Sequence, residues 1–197
     1  MTGTTRIPRK QLDGVLGAVL KFAMKKKVGS VPEGAEVMWN HRAVFMDTMK
    51  FGARTEKWHE LDRSLGTLAA MAAAAEIGCS FCLDLHYFMA HDKGLDEEKA
   101  QQVPRWRESD VFTAVERRVM EYAAAMCQTP PTVTEAMSAA LLEDIGAAGL
   151  VELTAKVGMM NMTARGNVAM GIRSAEYAEA CGLQPLATPT RQEVPAP

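Results

Sequence analysis

Apolar positions recur with the three-to-four-residue spacing of helices from end to end, and no run alternates as a strand would. Residues 11–27 predict an amphipathic helix with Leu12, Leu16, Val19 and Leu20 on one face. Lysines crowd its C-terminal end, where they suit the helix dipole. After the turn GSVPEG, a second helix is predicted from about Glu33 to Gly52, carrying Val37, Met38, Val44, Phe45 and Met49. A third starts near Trp58 or Leu61 and runs through LGTLAAMAAAAEIG. The segment CSFCLDLHYFMAHDKG reads as helical and stops at Gly94, a residue that tolerates the left-handed backbone of a helix end.

A short helix, DEEKAQQV, is closed by Pro104. Thr113 with Glu116, and Thr132 with Glu135, have capping-box spacing ahead of two further helices. A last long helix, from about Ala148 to Ile172, carries Leu153, Val157, Met160 and Met170. The organisation expected is all-α: an N-terminal helical arm over 1–55, a helical-bundle domain over 56–184, and a disordered Pro/Thr/Ala-rich tail over 185–197.

Composition narrows the function classes. The formal net charge is −2, so the basic footprint of a nucleic-acid binder is absent. Asp13, Lys21 and Lys25 interrupt the first apolar stretch, which argues against a leader peptide or a membrane span. A reducing, cytoplasmic setting is expected. There a close cysteine pair is more often catalytic, redox-sensing or metal-binding than a permanent staple.

Four cysteines are present, and two of them stand in the informative stretch Glu76-Ile-Gly-Cys79-Ser-Phe-Cys82-Leu-Asp-Leu-His86. At 100° per residue Cys79, Cys82 and His86 fall in one narrow stripe, with Glu76 at its edge if the helix is continuous. Two sulfurs so spaced can close into a disulfide on an exposed helical edge. The thiolate is the nucleophile, and an imidazole one turn away can take its proton. A helix restarting at Gly78 would add unpaired amides that stabilise the anion. The alternatives are thiols that merely pack, or a zinc site completed by Glu76 or His91.

Around this motif the chain resembles the AhpD-like branch of the carboxymuconolactone decarboxylase superfamily. The match runs through Cys79-Ser80-Phe81-Cys82 and His86, then Pro104 to Ser109, Phe112, Glu116-Arg117, Glu152-Leu153-Thr154, Asn161, Arg165 and Asn167. The resemblance implies an all-α fold around a helical hairpin, assembled as homo-trimers or hexamers. It implies thiol-dependent reduction of hydroperoxides or disulfides without a bound cofactor. Electrons would come from a dithiol protein of lipoyl or thioredoxin-like type. By position, Cys82 would attack the peroxide, Cys79 would resolve, and His86 would relay protons. The family's usual glutamate, twelve residues before the first cysteine, is replaced here by Thr67, which leaves Glu76, or the more distant Glu60, as the candidate substitute, the other reading of Glu76 being an ordinary solvated helix-surface glutamate. The decarboxylase branch generally lacks the cysteine pair. A helical scaffold without catalysis is the competing reading that Thr67 favours, and a redox sensor is a third.

The remaining candidates are read as structural. His41 and His59 belong to surface or interface, and His91 lies about 140° round the helix from His86. Cys127 and Cys181 pack, and Asn161 with Arg165 form a hydrogen-bond network or subunit contact.

Overall fold

The computed structural model describes residues 5–174 and 176–188, and among these no strand occurs. The arm holds α1 (Gly14–Val28), α2 (Glu33–Met38) and α3 (Arg42–Thr55). The domain holds α4 (Arg63–Ile77), α5 (Ser80–Phe88), α6 (Glu97–Gln102), α7 (Ala114–Cys127), α8 (Glu135–Met170) and α9 (Tyr177–Ala180).

The centre of the domain is α4. Asp62 caps it, accepting hydrogen bonds from the backbone N–H groups of Ser64 (2.8 Å) and Leu65 (3.4 Å). Its residues from Gly66 to Ala74 are all buried. Alanines at 69, 73 and 74 let α7 and α8 approach its axis closely, and Leu68 and Met71 fill the space between. The long α8 is broken at Gly146, whose φ of 69° and ψ of 173° lie outside the helical region, so it behaves as two helices in tandem. In its second half Gly149, Leu153, Val157, Met160, Ala164 and Asn167 form one buried stripe.

Buried polar groups tie the elements together. The Thr113 and Glu116 capping box opens α7, and Glu116 also accepts from Lys99 Nζ at 2.7 Å, fastening α6. Glu152 on α8 accepts from the backbone N–H of Glu60 (2.8 Å) and Leu61 (3.2 Å) and pairs with Lys156. That carboxylate fixes the loop joining arm to domain.

The arm has its own small core of Leu12, Ala35, Trp39 and Phe45. The expected second helix is interrupted, because Trp39 turns inward in a 3-10 turn and its indole donates to Asp13 at 2.8 Å. Val44 and Met49 on α3 are about half exposed. On α1 only Gly17 is buried, so Leu16 and Val19 face outward and Leu12, just before the helix, is the anchor. The second expected capping box is displaced. Thr134 rather than Thr132 adopts the extended cap backbone and accepts from Met137 N–H. Residues 185–188, expected to open a disordered tail, are held against the domain. Ala187 N–H donates to the Gln101 carbonyl (3.0 Å), and Gln101 Nε2 to that of Pro185 (2.9 Å). Residues 189–197 lie outside the described residues. No helix among those described is long and apolar enough to cross a membrane.

Candidate functional site

Gly78 ends α4 in the left-handed region (φ 77°), a backbone that an L side chain resists, and the chain turns there into α5. Cys79 is therefore the N-cap of α5 rather than a residue within a continuous helix. Its Sγ accepts from the backbone N–H of Cys82 at 3.4 Å, at the helix end where unpaired amides and the dipole favour negative charge. Asn167, the last residue of the buried α8 stripe, donates from Nδ2 to Cys82 Sγ at 3.3 Å.

The two thiols divide their proton affinities. A hydrogen bond from the Cys82 thiol brings Cys79 down to about 7, against the opposing effect of burial, with the Cys82 amide and Asn167 helping. The same hydrogen bond raises Cys82, as do its burial and the neighbouring charge, while Asn167 opposes. The resting charge therefore settles on Cys79, and Cys82 keeps its proton.

The sulfurs do not share an exposed edge. Cys79 is 1% exposed and Cys82 5%, both as free thiols within the main core of the domain. A large oxidant cannot reach them in this conformation.

His86 sits one turn beyond Cys82 on α5, the spacing that puts side chains on one face. Its Nδ1 is buried without a hydrogen-bond partner. Burial, with the nearby Lys93 ammonium, lowers it to about 4, and Glu56 pulls the other way. At neutral pH the ring is uncharged.

Glu76 does not join the thiols. The break at Gly78 leaves it on α4, where it accepts from Gln128 Nε2 (2.7 Å) and faces Arg107 at 3.6 Å. Glu60 is largely exposed beside His59. Thr67 is buried, its hydroxyl spent on the Arg63 carbonyl at 2.8 Å. His41 caps α3 through Nδ1. Cys127 accepts from Asn161 Nδ2 at 3.3 Å, and Arg165 reaches the Cys127 carbonyl, which makes that trio a structural network. Among the described residues no three His, Cys, Asp or Glu side chains gather as a metal-holding group.

One contributor escapes a reading by local spacing. Asp84, buried on the far face of α5, accepts from Ser174 Oγ (2.8 Å) and from the backbone N–H of Tyr177 and Ala178 (3.0 Å each), locking α9 against the dithiol helix. Asn167 was legible as a polar residue on an otherwise apolar stripe, a signal that it meets a buried polar partner.

The chain is similar to known proteins in sequence and in fold. The Carboxymuconolactone decarboxylase family matches residues 44–125. The uncharacterized protein YnjA of Escherichia coli (strain K12) is 34% identical over 128 residues, covering 65% of this chain and 70% of that one. An uncharacterized peroxidase-related protein from Ralstonia eutropha JMP134, described as an alkylhydroperoxidase AhpD core, superposes with a TM-score of 0.75. The identity is 18%, over 90% of this chain and 96% of that one. The debrominase Bmp8, in its apo form, superposes with a TM-score of 0.76 at 18% identity, over 91% and 96% of the two chains. Fold and sequence together show that the chain belongs to the carboxymuconolactone decarboxylase family, on an AhpD-like all-helical scaffold.

Proposed function

We propose that the protein reduces small hydroperoxides through the Cys79–Cys82 dithiol. The observation that carries this reading is the pairing of the two sulfurs at the N-terminus of α5, one easily ionised and the other held protonated beside an Asn N–H.

The division suits two successive steps. Cys82 attacks the peroxide oxygen, the O–O bond breaks, and the thiol proton leaves with the alkoxide as alcohol. Because Cys82 holds its proton tightly, this step needs a base, and His86 is one turn away. The Cys79 thiolate then displaces hydroxide from the Cys82 sulfenic acid, and the proton that Cys79 had released to solvent completes a water molecule. Two thiols and one hydroperoxide give one disulfide, one alcohol and one water. A low proton affinity favours Cys79 in this resolving role, since the attacking group must be a thiolate. Burial of both sulfurs favours a small oxidant. A dithiol protein of lipoyl or thioredoxin-like type returns the two electrons, in a reducing compartment such as the cytoplasm, and the chain works as a homo-oligomer.

The test is consumption of hydrogen peroxide with dihydrolipoamide as donor. Cys82→Ser is expected to abolish turnover, and Cys79→Ser to stop it with a sulfenic acid left on Cys82. Undiminished turnover in Cys82→Ser overturns the proposal in favour of a scaffold.

A further inference from the structure

The arm and the domain each turn one apolar helix face to solvent. On α1, Leu20 and Met24 pack into the arm core, and the opposite side is bare: Val15 is 85% exposed, Val19 59% and Phe22 73%. Their spacing stacks the three side chains in one raised stripe, which Lys26 prolongs. The helix holds no acidic residue, and its charges are Lys21, Lys25, Lys26 and Lys27.

On the domain, two adjoining grooves of about 590 and 500 Å³ lie along α8 just past its break at Gly146. Both are lined by Ala147, Val151 and Ala155, which lie one turn apart on one side of the helix. Trp58 walls the first groove and Leu142 the second, and Val151, 70% exposed, rises between them. The alanines leave room for a second helix to come close to α8 from outside. Contiguous apolar surface of this kind marks an interaction site.

We infer that the α1 stripe of one copy seats in the α8 grooves of a second copy. The inference rests on the homo-oligomeric part of the function proposed above, not on the peroxide chemistry, and it names the faces that meet. Shape selects this pairing. A stripe of large side chains fits a depression, whereas two stripes, or two depressions, leave gaps between them. Length agrees: α1, with 15 residues, is about 22 Å long, and the α8 face from Leu142 to Ala155 spans at most about 20 Å. Charge agrees as well. Two α1 faces would set cations against cations. On the grooves, Lys57 and Glu60 offset each other beside Trp58, while Leu142 is followed by exposed Glu143 and by Asp144, which Arg118 pairs. The lysine end of α1 therefore lies toward Glu143. Each copy carries both halves of the contact, so copies add until the assembly closes on itself.

The experiment cross-links the full chain with exposed Cys181 replaced by Ser. Val19→Cys and Val151→Cys are introduced singly and together, and each protein is treated with a short bismaleimide, which reaches exposed thiols and spares buried ones. The double variant should give covalent oligomers, and either single variant less than a tenth of that yield. In parallel, Phe22→Glu and Val151→Glu should each raise the concentration of half-dissociation at least tenfold in sedimentation. Helix content by circular dichroism should not change, because both side chains lie on the surface. Self-cross-linking of Val19→Cys alone would put α1 against a second α1, and self-cross-linking of Val151→Cys alone would put α8 against a second α8. Either result, or an oligomer whose double variant gives no covalent product, overturns the pairing and leaves the homo-oligomer standing. A wild-type chain that sediments as a monomer overturns both, and leaves the peroxide assay as the separate test of the chemistry. If that monomer binds vesicles of phosphatidylserine and phosphatidylcholine, and Phe22→Glu abolishes the binding, the α1 face belongs to a lipid surface instead.

Discussion

At the scale of the residue, the site depends on a few polar atoms in an apolar surround. The Asn167 N–H is the only side-chain donor to Cys82 Sγ among the described residues. Asn167→Ala should leave that sulfur without its donor, cost roughly 1–2 kcal/mol of stability, and raise the proton affinity of the pair. Chemical denaturation and pH-dependent alkylation measure the two effects. His86 makes a second prediction. Its pKa is about 4 in the fold and 6.5 when unperturbed, so the unfolded state takes up a proton first. The stabilisation is complete above pH 6.5 and is lost as the pH falls toward 4, a contribution of roughly 3 kcal/mol at most. His86→Gln should therefore flatten the stability curve in that window, and a curve unchanged from wild type would refute the burial of the ring. Cys79, Cys82 and His86 were legible in the sequence because their spacing is local. Asp84 was not, since its partners lie 90 or more residues away.

At the scale of the element, helix ends decide where the chemistry sits. Of the two arrangements open to the sequence, a helix continuous through Glu76 and a helix restarting at Gly78, the second holds: Gly78 turns the chain and makes Cys79 a cap. The same break removed Glu76 from the site and supplied the helix N-terminus. Thr113 with Glu116 was legible as a cap because both bonds of the box are local. Thr132 and Thr134 both precede α8, and only the backbone shows which is extended. Gly146 is a sharper test of an element boundary. Its φ of 69° with ψ of 173° belongs essentially to glycine, so Gly146→Ala should cost about 1–3 kcal/mol, read as a lower urea midpoint. An unchanged midpoint would mean that α8 runs through unbroken.

At the scale of the whole molecule, the arm and the domain have separate small and large cores, joined where Glu152 holds the Glu60–Leu61 backbone. The helical architecture was legible from periodicity alone. The orientation of α1 was not, because its apolar residues surround the axis: Leu20 and Met24 pack inward, while Val15, Val19 and Phe22 point out, the last 73% exposed. Val19→Glu should accordingly leave the thermal midpoint of the single chain unchanged. A fall in mass by light scattering in that variant is the outcome expected if copies of the chain assemble through α1. The claim on which everything else depends is that Cys79 and Cys82 form one redox unit despite their burial. One equivalent of hydrogen peroxide, followed by alkylation and peptide mapping, tests it most directly. The account predicts a Cys79–Cys82 disulfide with Cys127 and exposed Cys181 still reduced; oxidation of Cys181 with both buried thiols untouched would contradict it.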